Sequence, residues 1–475
     1  MKHFTNLIAG EWSSRGMGGR DVNPSDTNDI IGEFAGASVE DAAMALAAAR
    51  GAFPVWSRTT AQVRSDVLAK AATELLARRE EIGELLAREE GKTRAEGIGE
   101  VLRAGQILQF FSGEALRLAG EKLPPVRAGV DIDVSREPIG VIGIITPWNF
   151  PIAIPAWKIA PALAFGNTVV FKPAELTPAT AWTLVDILHR AGLPPGTLNL
   201  IMGKGSVLGP AIIGGVDALS FTGSVATGRD IAARAMARMV KLQLEMGGKN
   251  PLVVLDDANL EVAVDCAIKG AFFQTGQRCT ASSRLIVAEN IHDRFVAAVQ
   301  AQIAKLNIDH ALKAGTDIGP AVDQRQLDTD LRYLDIGRGE GARLSGGEVL
   351  RRDTPGFYLA PALFTDTHNR MKINVEEIFG PVASVIRVRD YDEALAVAND
   401  TEFGLTAGIC TTSLKHARHF QAHAQAGLVM INLPTAGLDY HVPFGGRKAS
   451  SYGPREQGRY AAEFYTAVKT TYISS

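Results

Sequence analysis

Val141-Ile-Gly-Ile-Ile145, Thr168-Val-Val-Phe171, Leu198-Asn-Leu-Ile-Met202 and Ala218-Leu-Ser-Phe221 are short apolar runs, each the length of a strand buried on both faces. Stretches of helical pattern at 156–164, 179–191 and 225–238 alternate with them. This strand-helix rhythm predicts a parallel sheet covered by helices on both sides, an α/β domain of dinucleotide-binding type. A second rhythm starts near Asn250, with strands at 251–255 and 284–288 and helices at 260–274 and 293–306. It predicts a second parallel-sheet domain, which holds the chemistry.

Upstream, Ser38-Val-Glu-Asp41 is a capping box that opens a helix to about residue 50. Val63, Val67, Leu68, Ala72, Leu75 and Leu76, then Ile82, Leu85 and Leu86, recur at three- and four-residue steps. That spacing predicts amphipathic scaffold helices. Residues 120–137 change character: Pro124-Pro125 and Gly129 precede Val130-Asp-Ile-Asp-Val134, whose strict alternation predicts a half-exposed strand or hairpin.

At 475 residues the chain exceeds one hydrophobic core, so two or three domains are expected. Net charge is only -3, and Lys and Arg form no basic block. Nucleic acid and anionic membrane surfaces are therefore excluded as main partners, and small ligands favoured. The three cysteines, Cys266, Cys279 and Cys410, are odd in number and widely spaced. They form neither a disulfide framework nor a metal pattern, which points to a reducing, cytoplasmic setting and no metal site. No signal core opens the chain, and no run nears the ~18 apolar residues of a membrane span.

Chemistry concentrates in a few motifs. Cys279 lies in Gln274-Thr-Gly-Gln-Arg-Cys279-Thr-Ala, a polar, glycine-containing stretch where backbone can approach closely and Arg278 is expected to lower the thiol pKa. Cys266 and Cys410 sit in apolar helical and strand patterns and read as core residues. Glu245 heads Glu245-Met-Gly-Gly-Lys249, and Asn149 lies between prolines in Thr146-Pro-Trp-Asn-Phe-Pro151. Lys172 and Glu175 follow a buried strand in Phe171-Lys-Pro-Ala-Glu175. Phe221-Thr-Gly-Ser-Val-Ala-Thr-Gly228 places Gly223 and Ser224 between a strand and a helix, where backbone N–H groups can meet a pyrophosphate.

Taken in this order, and with Glu376-Glu-Ile-Phe-Gly-Pro381, these motifs resemble the NAD(P)-dependent aldehyde dehydrogenase family over nearly the whole chain. The resemblance implies an aldehyde dehydrogenase-like fold of two parallel-sheet α/β domains plus a β-hairpin oligomerisation arm. The NAD-binding domain is expected at 1–119 and 139–246, and the catalytic domain at 247–440. The arm and C-terminal tail take 120–138 and 441–475, and a homodimer or homotetramer follows. It implies Cys279 as nucleophile, Asn149 as oxyanion donor and Glu245 as the base that activates water. The presence of Glu245 sets the chain apart from relatives that form acyl-CoA. Trp148, Lys172, Glu175, Gly223, Ser224, Glu377 and Phe379 become cofactor contacts. The carboxylate of Glu175 beside the adenine ribose favours NAD, with NADP as an accepted second cofactor.

The stretch from Pro434 to Gly458 resembles the 2-oxoglutarate semialdehyde (2,5-dioxopentanoate) dehydrogenases of sugar-acid catabolism. Asp439, Tyr440, His441 and Phe444 are thereby candidates for the substrate tunnel. An acidic semialdehyde needs a cationic partner. The positions that carry gripping arginines in succinate semialdehyde dehydrogenases hold Trp157 and Phe273, which line a pocket in this reading. Arg278 and Arg284 are the candidates for the distal carboxylate, with Arg284 expected rather in a structural salt bridge. Broad-specificity, succinate semialdehyde or aromatic aldehyde oxidation remain alternatives. A non-enzymatic structural role is disfavoured because thiol, amide and carboxylate are all present.

Overall fold

The computed structural model describes residues 2–474. Two large sheets dominate. The first has eight strands in the order Ser451–Tyr452, Lys241–Glu245, Ala218–Thr222, Val141–Ile145, Thr168–Lys172, Leu198–Leu200, Asn6–Ile8, Glu11–Ser13. Its five central strands, from Lys241–Glu245 to Leu198–Leu200, run parallel; the others are antiparallel edges. Helices Ala153–Ala164, Pro178–Arg190, Gly205–Ile213 and Val225–Met236 connect or flank these strands. The predicted runs thus become buried parallel strands, with boundaries within a few residues.

The second sheet has seven strands in the order Arg343–Gly346, Ala362–Thr367, Val382–Val388, Ser282–Ala288, Asn250–Val254, Thr406–Cys410, Leu428–Ile431. All neighbours pair parallel except the Arg343–Gly346 edge. The chain crosses from the first sheet to the second in the few residues between Glu245 and Asn250. That short bridge sets the mouths of the two sheets against each other.

The Ser38 capping box is present, its hydroxyl accepting from Asp41 N–H and Asp41 accepting from Ser38 N–H. The helix it opens continues past residue 50 to Trp56, with Pro54 near its end. The amphipathic scaffold resolves into Ala61–Ala77, Arg79–Glu90 and Arg94–Ala115. Thr93 opens the last of these with a capping box closed by Glu96.

Strands Glu121–Leu123 and Val130–Pro138 form the predicted hairpin, and the tail strand Thr466–Ser474 pairs antiparallel with Val130–Pro138 over nine residues. The rest of the C-terminal segment leaves this arm. Ser451 and Tyr452 pair with Glu245 and Leu244 at the edge of the first sheet. No helix among the described residues is long and apolar enough to cross a membrane.

Candidate active site

The parallel strands of the first sheet end on one edge. The chain moves from Val141–Ile145 outward to Thr168–Lys172 and Leu198–Leu200, then returns to lay Ala218–Thr222 against the opposite side of Val141–Ile145. This reversal of strand order opens a crevice beyond the carboxyl ends, the place where doubly wound sheets bind ligands. Trp148 and Asn149 follow the strand on one side of it; Gly223 and Ser224 follow the strand on the other.

The residues at this edge suit a dinucleotide. Ser224 caps the helix Val225–Met236, its hydroxyl accepting from Thr227 N–H, so a helix N-terminus faces the crevice. The Gly223 N–H is committed to the Glu245 carbonyl at 3.1 Å, so Gly223 contributes close approach and not a free donor. Lys172 is buried, donates to the Pro173 carbonyl at 3.0 Å and lies 3.9 Å from Glu175, while Glu175 is half-buried and accepts from Gly205 N–H. Burial pushes the Lys172 ammonium below its ordinary value, with Glu175 opposing. From the second sheet's side, Phe379 meets Trp148 edge-on at 5.5 Å. Glu377 accepts from Gly248 N–H at 2.8 Å, and burial raises its carboxyl to about 7.

Cys279 follows an irregular stretch. The helix Leu260–Ala271 ends, and Gln274, Thr275 and Gly276 take left-handed conformations at φ 54°, 57° and 64°. Such a conformation is unfavourable for a β-branched threonine, so outside contacts must hold it. Gln274 N–H donates to Glu96 at 3.0 Å, Thr275 Oγ1 to the Gly319 carbonyl at 3.1 Å, and Val322 N–H to the Gln277 side chain at 3.0 Å. Asn149, itself buried, donates through Nδ2 to the Gln277 carbonyl at 3.0 Å. Asn250 holds the Cys279 carbonyl at 2.8 Å. The glycines of the Glu245 motif fit underneath: a Cβ on Gly248 would lie 2.6 Å from the Cys279 carbonyl oxygen, and one on Gly247 2.1 Å from Glu377 Oε2. Only glycine lets the nucleophile loop and Glu377 approach this turn.

Cys279 and Glu245 line one cavity of about 290 Å³, walled also by Phe150, Trp157, Phe444 and Arg103. Burial, then the Glu377 and Glu245 carboxyls, push the Cys279 thiol up to about 12. The expected lowering by Arg278 is overturned as the net effect, because desolvation and two neighbouring acids outweigh it. Glu245 is also raised well above the carboxylate range, first by burial and then by Glu456, against its hydrogen bond from Ser451.

The cavity corrects other expectations. Phe273 is absent from its walls and packs on the core of the second sheet. Asp439 and His441 are exposed and lie outside it, and Tyr440 packs edge-on to Phe110 at 6.1 Å; Phe444 does line it, 5.6 Å from the Trp157 ring. Arg278 lines the cavity, but one guanidinium nitrogen donates to the Lys269 and Gly270 carbonyls at the end of a helix. Arg284 makes no salt bridge among the described residues. It is buried and bonded to the carbonyls of Lys249, Val397 and Ala398 and to the side chain of Asn369, since its strand runs beneath those loops.

Five charged residues escaped the sequence reading. Glu456 accepts from Trp157 Nε1 at 2.8 Å and pairs with buried Lys158, which also donates to Ser220 at 2.7 Å. Lys92 and Glu100 form a buried pair at 2.7 Å behind the Asn149 loop. Arg103 reaches the cavity from the helix Arg94–Ala115. For Glu100, Arg103 and Lys158 the one available cue was charge placed among apolar helical positions, which fits a solvated face equally well; Lys92 and Glu456 lie outside the helices and carry no local cue.

A thiol and a buried acid at the mouth of a dinucleotide-type sheet are the groups that an α/β oxidoreductase acting through a cysteine would need. The model of the aldehyde dehydrogenase family matches residues 13–471, and the chain belongs to that family. It is 43% identical to the alpha-ketoglutaric semialdehyde dehydrogenase of Bacillus subtilis (strain 168), over 99% of this chain and 98% of that protein. It is 39% identical to the 2,5-dioxopentanoate dehydrogenase of Saccharolobus solfataricus, over 99% of each. The crystal structure of betaine aldehyde dehydrogenase from Staphylococcus aureus in complex with NAD+ superposes with a TM-score of 0.96 at 33% identity, covering 99% of this chain and 95% of that one.

Proposed function

We propose that the protein oxidises 2-oxoglutarate semialdehyde to 2-oxoglutarate, with NAD+ and water consumed and NADH and protons released. The observation that carries this reading is the meeting of Cys279 and Glu245 in one cavity, with the Asn149 amide tied to the same loop. The Cys279 thiol passes its proton to solvent, and the thiolate adds to the aldehyde carbon, forming a carbon–sulfur bond while the C=O π pair moves to oxygen as an alkoxide that Asn149 Nδ2 stabilises. NAD+ held at the strand-end crevice supplies the hydride acceptor. Cys279 then carries the acyl group as a thioester. Glu245 takes a proton from water, the water oxygen bonds the acyl carbon, and the thiolate leaves.

Lys172, Glu175, Ser224, Glu377, Phe379 and Trp148 hold the cofactor, with Gly223 allowing close approach. The half-buried Glu175 carboxylate opposes a 2'-phosphate and favours NAD+ over NADP+. An anionic substrate is favoured by the two semialdehyde and dioxopentanoate dehydrogenase relatives described above and by the two guanidinium groups, Arg103 and Arg278, at the cavity wall. Betaine aldehyde is a cation and suits that wall less well. The aromatic wall of Phe150, Trp157 and Phe444 favours a second reading, aromatic aldehyde oxidation. A thiol nucleophile and three free cysteines fit the cytoplasm. The tail strand Thr466–Ser474 is an exposed sheet edge bearing Val468, Tyr472 and Ile473, an edge that a second copy would cover in a homo-oligomer.

Steady-state assays with 2-oxoglutarate semialdehyde, succinate semialdehyde, betaine aldehyde and benzaldehyde, each with NAD+ and NADP+, test this reading. The five-carbon anionic aldehyde with NAD+ is expected to give the highest kcat/KM. A higher value for betaine aldehyde or benzaldehyde overturns the substrate.

A further inference from the structure

The charged groups around the cavity are unequally satisfied. Glu100 accepts from Lys92 Nζ and from the N–H groups of Ile152 and Ala153, and Glu96 accepts from Thr93 and from Gln274 N–H. Both carboxylates are spent on holding the Asn149 and Cys279 loops. Arg103, on the same wall, makes no ion pair among the described residues. Its guanidinium donates to the Leu438 carbonyl and, at 3.1 Å, to Gln457 Oε1, both neutral acceptors, and its Nε–H has no partner. A largely buried cation without a counter-charge is costly to maintain. Burial accordingly pushes the Arg103 guanidinium below its ordinary value, with Glu100 and Asp439 only partly opposing.

Arg278 is the other cation at the wall; it too makes no ion pair among the described residues and its Nε–H has no partner, so what separates the two is their position. It is buried, and the carbonyls ending the helix Leu260–Ala271 supply the negative end of that helix to it. It also adjoins Cys279 in the chain, the end of the cavity where the aldehyde must sit. Arg103 is less buried, comes from a different wall, and lies with its guanidinium carbon 5.8 Å from the Trp157 ring centroid. The indole is itself fixed by its bond to Glu456. Ring, Leu438 carbonyl and Gln457 together set the plane of the fork, which is the preparation a bidentate carboxylate contact requires.

We propose that Arg103 is the specificity residue that grips the distal carboxylate of the semialdehyde while the aldehyde carbon lies at Cys279. The assignment rests on the reading of the substrate as an anionic semialdehyde. It places carboxylate recognition on the helix Arg94–Ala115, away from positions 157 and 273 and away from Arg278.

The test compares kcat/KM for 2-oxoglutarate semialdehyde with that for pentanal, an uncharged aldehyde of equal length, in the intact enzyme and in Arg103→Gln. The ratio is expected to fall by about 10- to 100-fold in the variant, mainly through KM for the semialdehyde, the loss of a hydrogen-bonded charge contact. A ratio unchanged in Arg103→Gln overturns the proposal, as does an equal fall for both aldehydes, which would mark a structural role through Leu438 and Gln457. An intact enzyme with no preference for the semialdehyde overturns the substrate reading and this assignment together. That result is seen before any variant is made, so the two failures are told apart. If Arg103→Gln does not fold, Arg103→Lys replaces it: an ammonium keeps the charge but loses the fork, so the ratio is again expected to fall, and its constancy overturns the proposal.

Discussion

The side-chain amide of Asn149 donates to the backbone carbonyl of Gln277 at 3.0 Å, joining residues 128 apart in sequence. One follows a strand of the first sheet; the other precedes Cys279 by two residues, in the segment leading to the second. The Asn149 carbonyl is held in turn by Lys92 Nζ at 2.7 Å. The residue is thus held by its backbone carbonyl and by one hydrogen of its side-chain amide, the preorganisation that an oxyanion donor would need.

Asn149→Ala is expected to lower kcat by about 100- to 1000-fold, the usual cost of losing one oxyanion donor. Single-turnover NADH formation is the measurement, because it isolates the step in which the alkoxide forms. A loss confined to the later, hydrolytic step would place the amide elsewhere in the reaction.

Cys279→Ser is expected to abolish turnover, since an alcohol at this site is neither acidic enough to add nor able to leave. Glu245→Gln is expected to retain a rapid burst of NADH, followed by turnover slowed by about 100-fold or more, the scale of a lost general base. Because Glu245 sits well above the carboxylate range, hydrolysis in the unaltered enzyme should quicken as pH rises and the acid loses its proton. Stopped-flow traces across pH decide both points. A variant without a burst would show that Glu245 acts before the thioester forms.

Much of this was legible in the sequence, for a physical reason. Buried parallel strands must be apolar over their whole length, so Val141–Ile145 and Thr168–Lys172 announce themselves, and the glycines at 247 and 248 mark a backbone that something must approach. The thiol, amide and first acid sit in rigid local motifs that can be read one at a time. What was not legible depends on which distant segments meet. Lys241–Glu245 is too polar to read as a strand because Gln243 turns inward to bond the carbonyls of Pro454 and Arg455. Phe273 was misplaced because its side chain packs on the core of the second sheet, while the left-handed turn that follows carries Gln274, Arg278 and Cys279 to the cavity wall. Arg103, Lys92 and Glu456 gain their roles from partners as many as 354 residues away, which no local pattern encodes.

The Cys279 thiol, held up to about 12, is almost wholly protonated at neutral pH. Alkylation by iodoacetamide in the absence of cofactor should therefore rise by about tenfold per pH unit from 7 to 10, because only the thiolate reacts. Glu377 contributes to that elevation and is itself anionic above about 7. Removing its charge in Glu377→Gln should lower the thiol pKa and speed alkylation at pH 8. An equal or slower rate would mean that burial alone governs the thiol.

Lys92 and Glu100 are buried together, and Lys92 also stands over the Phe150 ring at 4.3 Å. Lys92→Met should cost about 3–5 kcal/mol of stability, because Glu100 would be left as an uncompensated buried charge. The paired change Lys92→Met with Glu100→Gln should recover part of it. Urea unfolding measures both, and a loss below about 1 kcal/mol for the single change would mean that the pair is not sealed from water.

The arm offers a test independent of catalysis. Residues 466–474 pair with Val130–Pro138 along their full length, and most of their side chains are exposed. A nine-residue strand with an open edge is a template for further pairing unless another chain covers it. Truncation after Tyr465 removes that edge and leaves Tyr465, buried in the core of the first sheet, in place. Sedimentation velocity should then show a smaller assembly, with the monomer's helix content retained by circular dichroism. An unchanged sedimentation coefficient per chain would mean that copies associate through another face.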